Sequence, residues 1–454
     1  MARGSGGGYK CRACGYQTPQ WLGRCPQCGE WDTLAPIDDD DSGRAAEAQE
    51  PPATPQPLVD IPPESAVRRP TGLAEFDRVL GGGALAGSTV LLGGEPGIGK
   101  STLMLQVAGE IAAHAERPWI YVSGEEAPAQ IKLRASRLGM GNVEQLWVLG
   151  EQRVGVVVDA VREANAGGLV VDSIQTIFSG AVKEGPGSPQ HVGDVAFELN
   201  RLAKELRIPV FLIGHVTKEG EFAGPKAIEH LVDVALYLEG GRDGEVRILR
   251  AVKNRYGSTE EIGVFEMAEV GLSEIADPSR YFAERVGEVQ PGSVIVPSLE
   301  GSRPILVEIQ SLVAGSRAPV PQRRATGLDP NRVALLLAVA EKRLGLQIGQ
   351  DDVYLNIAGG LSVRETAVDA GIAAAVVSSY KNRAIDADTV VIGELGLSGE
   401  LRRVRKLRAR LNEAAKLGFH RAIVPPRANE SLDELDLDVA TATGLDEAIG
   451  HLGL

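Results

Sequence analysis

Eight residues, Gly94-Glu95-Pro96-Gly97-Ile98-Gly99-Lys100-Ser101, satisfy the pattern G-x-x-x-x-G-K-[ST], and no other feature of the chain restricts its fold as much. Such a loop works only with a strand in front of it and a helix behind it. Its glycines let backbone N–H groups close around phosphates, the helix N-terminus adds partial positive charge, and the lysine reaches the β and γ oxygens. The flanks supply both elements. Thr89 to Leu92 is a short apolar, strand-like run, and Met104, Val107, Ala108, Ile111 and Ala112 recur at helical spacing on one stripe. Residues Gly94 to Ser101 together with Thr102 are therefore expected to hold ATP, with the Ser101 hydroxyl on Mg²⁺.

Further β-branched runs alternate with helical patterns up to about Met267, the signature of a mainly parallel sheet with crossover helices. Candidate strands are Trp119 to Ser123, Gly168 to Asp172, Val210 to Gly214, Val234 to Leu238 and Val246 to Val252. Leu169-Val170-Val171-Asp172 is an apolar strand ending in a carboxylate, which suits it to the metal's water shell. Tyr121-Val122-Ser123-Gly124-Glu125-Glu126 ends another strand on the side where a doubly wound sheet keeps its ligand, and Glu125 is the candidate for orienting the attacking water. The competing reading of Glu125 is an exposed acidic turn.

All four cysteines lie at the N-terminus as C-x2-C-x10-C-x2-C: Cys11, Cys14, Cys25 and Cys28. Two such knuckles place four thiolates tetrahedrally around Zn²⁺, and Gly15 and Gly29 suit the tight turn of each. Disulfides would suit a secreted chain, but no apolar export segment precedes the cysteines. A redox pair would need a surrounding βαβ pattern. Between Asp38 and Arg69 an acidic run and many prolines give a composition too polar to order itself. The expected organisation is a zinc ribbon over 1–36, a disordered linker over 37–68, an ATPase domain over 69–275 and a second α/β domain over 276–454. In the last, Ser293 to Val296 and Ile305 to Ile309 are strand-like and Asn331 to Arg343 is helical. Apolar runs fall short of the roughly 18 residues that span a bilayer, so a soluble, cytoplasmic chain without membrane contact is expected.

A net charge of -14 argues against coating nucleic acid by bulk charge. Local charge can differ: Arg402, Arg403, Arg405, Lys406, Arg408 and Arg410 crowd into residues 401–410. A solvated helix face is the plain reading of such a run.

The P-loop, the strand ending in Gly124-Glu125-Glu126, the strand ending in Asp172, and above all Lys253-Asn254-Arg255-Tyr256-Gly257 resemble the bacterial RadA/Sms family of RecA-related ATPases. In that family the last motif usually reads Lys-Asn-Arg-Phe-Gly, so Tyr256 is the single departure and keeps an aromatic ring. The resemblance implies a RecA-like core and ATP hydrolysis in recombinational DNA repair. It also implies a homo-oligomeric, hexameric ring, single-stranded and branched DNA as substrate, and a RecA-type recombinase as partner. By the same likeness Glu125 is the catalytic glutamate, Lys253 and Arg255 act on a neighbouring subunit's ATP, and His215 senses the γ-phosphate, although a lone His at a strand end is often structural. The Gly-rich segments after Phe178 and after Val216 resemble DNA-facing loops.

Gly393 to Gly399 and Arg364 to Gly371 resemble the protease domain of Lon. Laid over that pattern, the serine position is Asp369 and the lysine position Arg408. A carboxylate offers no activated hydroxyl and a guanidinium stays protonated, so the domain is expected to be a proteolytically inactive scaffold and its basic run a DNA-binding candidate. Two other functions remain in view: an ATP-dependent protease, and a RecA-superfamily ring acting on protein partners.

Overall fold

A computed structural model describes residues 9–36, 55, 57–60, 68–179, 188–214, 227–240, 245–283, 288–426, 432 and 435–454. The chain divides into two compact units, residues 1–65 and 66–454. Most of the expected linker, together with His215 and the segments 180–187 and 215–226 that were expected to face DNA, lies outside the described residues.

In the first unit β1 (Tyr9–Cys11), β2 (Gln17–Thr18) and β3 (Leu34–Pro36) form an antiparallel sheet in the order β2-β1-β3. So small a sheet buries little, and its core is Cys11, Cys25 and Leu34, with Tyr9 and Tyr16 packed against it.

The second unit opens with the short pair β4 (Arg68–Arg69) and β5 (Ala84–Leu85) around helix α1 (Ala74–Leu80). A nine-stranded sheet follows, built from β6 (Thr89–Gly94), β7 (Trp119–Ser123), β8 (Leu146–Gly150), β9 (Gly168–Asp172), β10 (Val210–Ile213), β11 (Val234–Gly240), β12 (Val246–Asn254), β13 (Ile262–Ala268) and β14 (Gly271–Glu274). Its order is β14-β13-β12-β11-β6-β10-β9-β7-β8. From β11 to β8 all neighbours are parallel, and β12 to β14 extend the sheet antiparallel. The strands read as continuous apolar runs because both faces are covered: Val90 and Leu92 pack into one core and Leu91 into the other. Crossovers run through α2 (Lys100–Ala113), α3 (Pro128–Arg137), α4 (Val154–Glu163), α5 (Pro189–Leu206) and α6 (Ala227–Leu231). The stripe read on α2 is buried as expected.

Val246 to Val252 is the last candidate strand that the sequence marks before Met267. In the structure β13 and β14 follow it, so β12 is interior. Gly263, Glu266 and Gly271 dilute the alternation of β13 and β14, and the four-residue apolar run of β8 is too short for periodicity to separate strand from helix.

Helix α7 (Pro278–Ala283) leads to a seven-stranded sheet containing β15 (Ser293–Glu300), β16 (Arg303–Gly315), β17 (Arg323–Thr326), β18 (Asp351–Ile357) and β19 (Thr389–Val391). Helices α8 (Pro330–Leu344) and α9 (Asp369–Lys381) pack together, and α9 also lies on β15 and β16. Gly371 permits that approach, since a Cβ there would meet Val296 Cγ1 at 2.1 Å. After the pair β20 (Glu394–Leu395) and β21 (Leu401–Arg402) come α10 (Leu407–Lys416), then β22 (Arg421–Val424), β23 (Asp438–Thr441) and α11 (Leu445–His451). The sheet order is β17-β18-β16-β15-β19-β22-β23. Charged pairs join this region to the preceding one: Arg303 to Glu75 of α1 at 2.8 Å, Glu300 to Arg250 of β12 at 2.6 Å and Lys406 to Glu260 of the β12–β13 loop at 3.2 Å. Among the described residues no helix is long and apolar enough to cross a membrane.

Candidate nucleotide site and metal centre

The phosphate loop leaves β6 at Gly94 and enters α2 at Lys100. Gly97 and Gly99 have φ of 77° and 113°, a region closed to most L residues. Gly99 is hemmed in as well, since a Cβ there would lie 2.8 Å from Met267 Cε. Lys100 is 4% exposed, and its ammonium donates to the carbonyls of Gly94 and Glu95 at 2.9 Å each. Burial pushes Lys100 below the usual lysine range, while Asp172 and Glu125 pull it back.

Parallel pairing brings the carboxylates to the same edge. Ser123 of β7 is in register with Asp172 of β9, which is in register with Ile213 of β10 and through it with Leu92 of β6. Asp172 accepts a hydrogen bond from Tyr121 Oη at 2.6 Å. Burial raises its pKa above the ordinary value, and hydrogen bonds from Tyr121 and Ser101 lower it in part. Ser101 and Asp172, predicted to share one Mg²⁺, are thus within reach of each other. Glu125 Oε1 accepts from Ser173 Oγ at 2.8 Å, whereas Glu126 is paired with Arg134 and its N–H is held by Ser123 Oγ. Of the two glutamates, Glu126 is therefore committed to a structural pair. No local pattern marks Tyr121 and Ser173 for partners 51 and 48 positions away, and Arg134 meets Glu126 only because α3 folds back beside the end of β7.

Lys253 and Arg255 lie elsewhere. β12 runs antiparallel to β11, so Asn254 is level with Val234 and Val90, while Gly94 is level with Leu238 and Leu249. The turn therefore begins four register positions behind the phosphate loop, ~13 Å along the strands, and two strands aside. Lys253 Nζ donates to the carbonyls of Glu229 and Val232 at 2.7 Å, capping the end of α6. Asn254 Nδ2 donates to Val79 and Leu80 at the end of α1, and Arg68 to the Tyr256 carbonyl. Arg255 is more than half exposed, with its guanidinium 3.9 Å from Asp233.

The ribbon cysteines form a second site. All four Sγ atoms lie within 4.8 Å of one another, with Cys11–Cys28 at 3.7 Å and Cys14–Cys25 at 3.6 Å. A tetrahedral ion with Zn–S bonds of about 2.3 Å requires S···S separations of about 3.8 Å, so the donor set fits Zn²⁺. The knuckles turn as expected, Gly15 N–H donating to Cys11 O and Gly29 N–H to Cys25 O at 2.9 Å. Thr33, whose hydroxyl lies 3.3 Å from Cys11 Sγ, was not foreseen.

In the C-terminal region Asp369 is 1% exposed. Arg332 grips both its oxygens, and Leu395 N–H donates to Oδ2 at 3.1 Å. The basic run is partly spent on the fold. Arg410 is buried against the Pro297 carbonyl and Glu365, Arg402 pairs with Glu400, and Lys406 with Glu260. The plain reading of the run as a solvated helix face holds only in part, since Arg410 is buried and the helix begins at Leu407.

Residues 9–36 match the family described as rubredoxin metal binding domain, residues 55–221 the AAA domain and residues 331–428 subunit ChlI of Mg-chelatase. The DNA repair protein RadA of Bacillus subtilis is 47% identical over 420 residues, 91% of each chain. That of Pseudomonas aeruginosa is 44% identical over 451 residues, 98% of each chain. The chain belongs to the RadA family. The RadA likeness agrees with the three-part architecture found here, a four-cysteine ribbon, a RecA-like ATPase sheet and a Lon-like α/β region. That of Aquifex aeolicus, 43% identical, likewise covers 94% of this chain and 95% of its own.

Proposed function

We propose that this chain hydrolyses ATP between the subunits of a hexameric ring in the cytoplasm and spends that energy on single-stranded and branched DNA during recombinational repair, alongside a RecA-type recombinase. The observation that carries the reading is the split of charged groups across the sheet. Lys100, Ser101, Asp172 and Glu125 share one edge, and the Lys253–Gly257 turn lies at the opposite end, beyond reach of its own phosphate loop. In this reading Gly94 to Thr102 hold the nucleotide, with Glu95, Pro96 and Ile98 shaping the loop. Ser101 and Asp172 would hold Mg²⁺, which supplies charge neutralisation on the β and γ oxygens. Glu125 orients water for in-line attack on the γ-phosphorus and takes its proton, and Lys100 stabilises charge on the departing ADP. Arg255, the exposed cation of its motif, approaches the neighbouring subunit's ATP, with Lys253 beside it; His215 is the proposed γ-phosphate sensor. The DNA assignment draws on the names of the relatives and on the exposed part of the basic run.

The Lon-like region serves as an inactive scaffold, because the residue at the nucleophile position is a carboxylate locked to Arg332. A ring acting on protein partners is the second reading, favoured by the net charge of -14. ATP turnover with and without single-stranded DNA separates the two, stimulation by DNA being expected.

Subunit mixing tests the shared site. Lys100→Ala and Arg255→Ala proteins, each inactive alone, should regain part of the ATPase activity when co-assembled, since some interfaces then pair an intact loop with an intact Arg255. Mixtures that stay dead despite proven co-assembly refute action in trans.

A further inference from the structure

β12 begins beside the phosphate loop and ends at the Lys253–Gly257 turn. Arg247, its second residue, is 8% exposed. Its Nε donates to the Ile98 carbonyl at 2.9 Å and its Nη1 to the Val246 carbonyl at 3.0 Å. Ile98 stands between Gly97 and Gly99, both at positive φ, so its neighbours impose little on the orientation of this peptide. That orientation matters electrostatically: a carbonyl oxygen turned toward the phosphates would repel them, whereas the same oxygen held toward β12 leaves the loop's N–H groups to face the anion.

The surroundings are shaped for this contact. Gly240 of β11 is the register partner of Arg247, and a Cβ there would lie 2.7 Å from Ile98 Cδ1 and 3.7 Å from Arg247 Nη1. Met267 of β13 and Leu272 of β14 close on Gly99 from the same side. The antiparallel extension thus packs against the loop, and Arg247 is its charged contact there.

We propose that Arg247 is a positioning residue of the nucleotide site, its guanidinium holding the Ile98 carbonyl so that the phosphate loop is preset for a nucleoside triphosphate. The proposal rests on the nucleotide-site reading above. It touches no reacting atom, so its signature is binding more than turnover.

The test uses the full-length chain and its Arg247→Ala, Arg247→Lys, Arg250→Ala and Lys100→Ala variants, titrated with a fluorescent ADP analogue and followed for steady-state ATP hydrolysis. Arg247→Ala is expected to raise Kd and KM by about tenfold, the scale of one buried charge-assisted hydrogen bond, with a smaller change in kcat. Arg247→Lys should recover part of the loss, because an ammonium can still donate to Ile98. Arg250, on the same strand as Arg247, pairs with Glu300 of β15; Arg250→Ala should leave Kd within about twofold, the scale for an uncoupled site, which separates positioning from general loosening of β12. Parental Kd and KM in Arg247→Ala, or equal losses in Arg247→Ala and Arg250→Ala, overturn the proposal. Should Arg247→Ala not fold, Arg247→Lys against Arg247→Gln decides: tighter binding by the lysine variant supports positioning, and equal binding overturns it. Parental binding by Lys100→Ala would instead sink the nucleotide-site reading itself.

Discussion

Lys100 illustrates how a side chain can be costly to bury and still be indispensable. Its ammonium is almost enclosed, held by two carbonyls of its own loop and balanced at longer range by Asp172 and Glu125. A triphosphate brings the negative charge that repays this burial, so the lysine is poised for an anion more than for the fold. Lys100→Ala should abolish hydrolysis and weaken nucleotide binding, because the β and γ phosphates lose their nearest fixed cation. Steady-state turnover checks this, and unchanged turnover would mean that the loop is not a nucleotide site. At the same scale, Arg410 shows why charge counted along a chain misleads. It belongs to a run of six basic residues yet is 1% exposed, its guanidinium consumed by Pro297 O and Glu365.

Between elements, α8 and α9 are tied by Arg332 and Asp369. Removing Arg332 would leave a carboxylate buried without its counter-charge. Arg332→Ala is expected to destabilise the C-terminal region by roughly 3 kcal/mol, the low end for a broken buried pair because Arg332 itself keeps some contact with water. The pH dependence has a definite sign. Burial raises Asp369 above the usual carboxylate range, so the folded state holds this proton more tightly than the unfolded chain. Its contribution to stability is fully present below the unfolded pKa and lost as pH rises through the folded one. Arg332 counters that rise, so without it Asp369 holds its proton to higher pH and the deficit of the variant should be smaller in acid than at neutral pH, as denaturant melts at two pH values would show; a deficit independent of pH would contradict it. The ribbon is the opposite case, an element with almost no core of its own. Its four thiolates should hold one Zn²⁺ per chain, and strong chelation should unfold residues 9–36 while the ATPase sheet survives, since such sites contribute ~10 to 16 kcal/mol of local folding free energy. Metal analysis and circular dichroism after chelation check both halves of the claim.

For the whole molecule, the Lon-like region is joined to α1 by Arg303–Glu75 and to the ATPase sheet by Arg250–Glu300, and Arg250 lies on the strand that also carries Arg247 and Lys253. The C-terminal sheet is thereby attached to the strand that starts beside the phosphate loop and ends at the Lys253–Gly257 turn. No peptidase activity should be found at any ATP concentration, because a carboxylate at the serine position of the Lon-like pattern offers no hydroxyl for a Ser/Lys dyad. ATP-stimulated cleavage of casein that copurifies with the chain would overturn this.

The phosphate loop, the metal ribbon and most parallel strands were legible in the sequence because each is a local pattern. Glycine spacing sets loop conformation, cysteine spacing sets ligand geometry, and unbroken apolar runs mark strands covered on both faces. Which carboxylate is committed to a structural pair, which arginine braces the loop and where the Lys253–Gly257 turn lies were decided only by the tertiary structure. Glu126 could be told from Glu125 only once Arg134 was placed, and Arg247 meets Ile98 across 149 positions of chain. β8, β13 and β14 are likewise hard to read from sequence, since short apolar runs broken by Gly150, Gly263, Glu266 and Gly271 do not by themselves separate strand from helix or loop. Periodicity reports which face of an element is buried; what that face meets depends on sheet order, which no local pattern encodes.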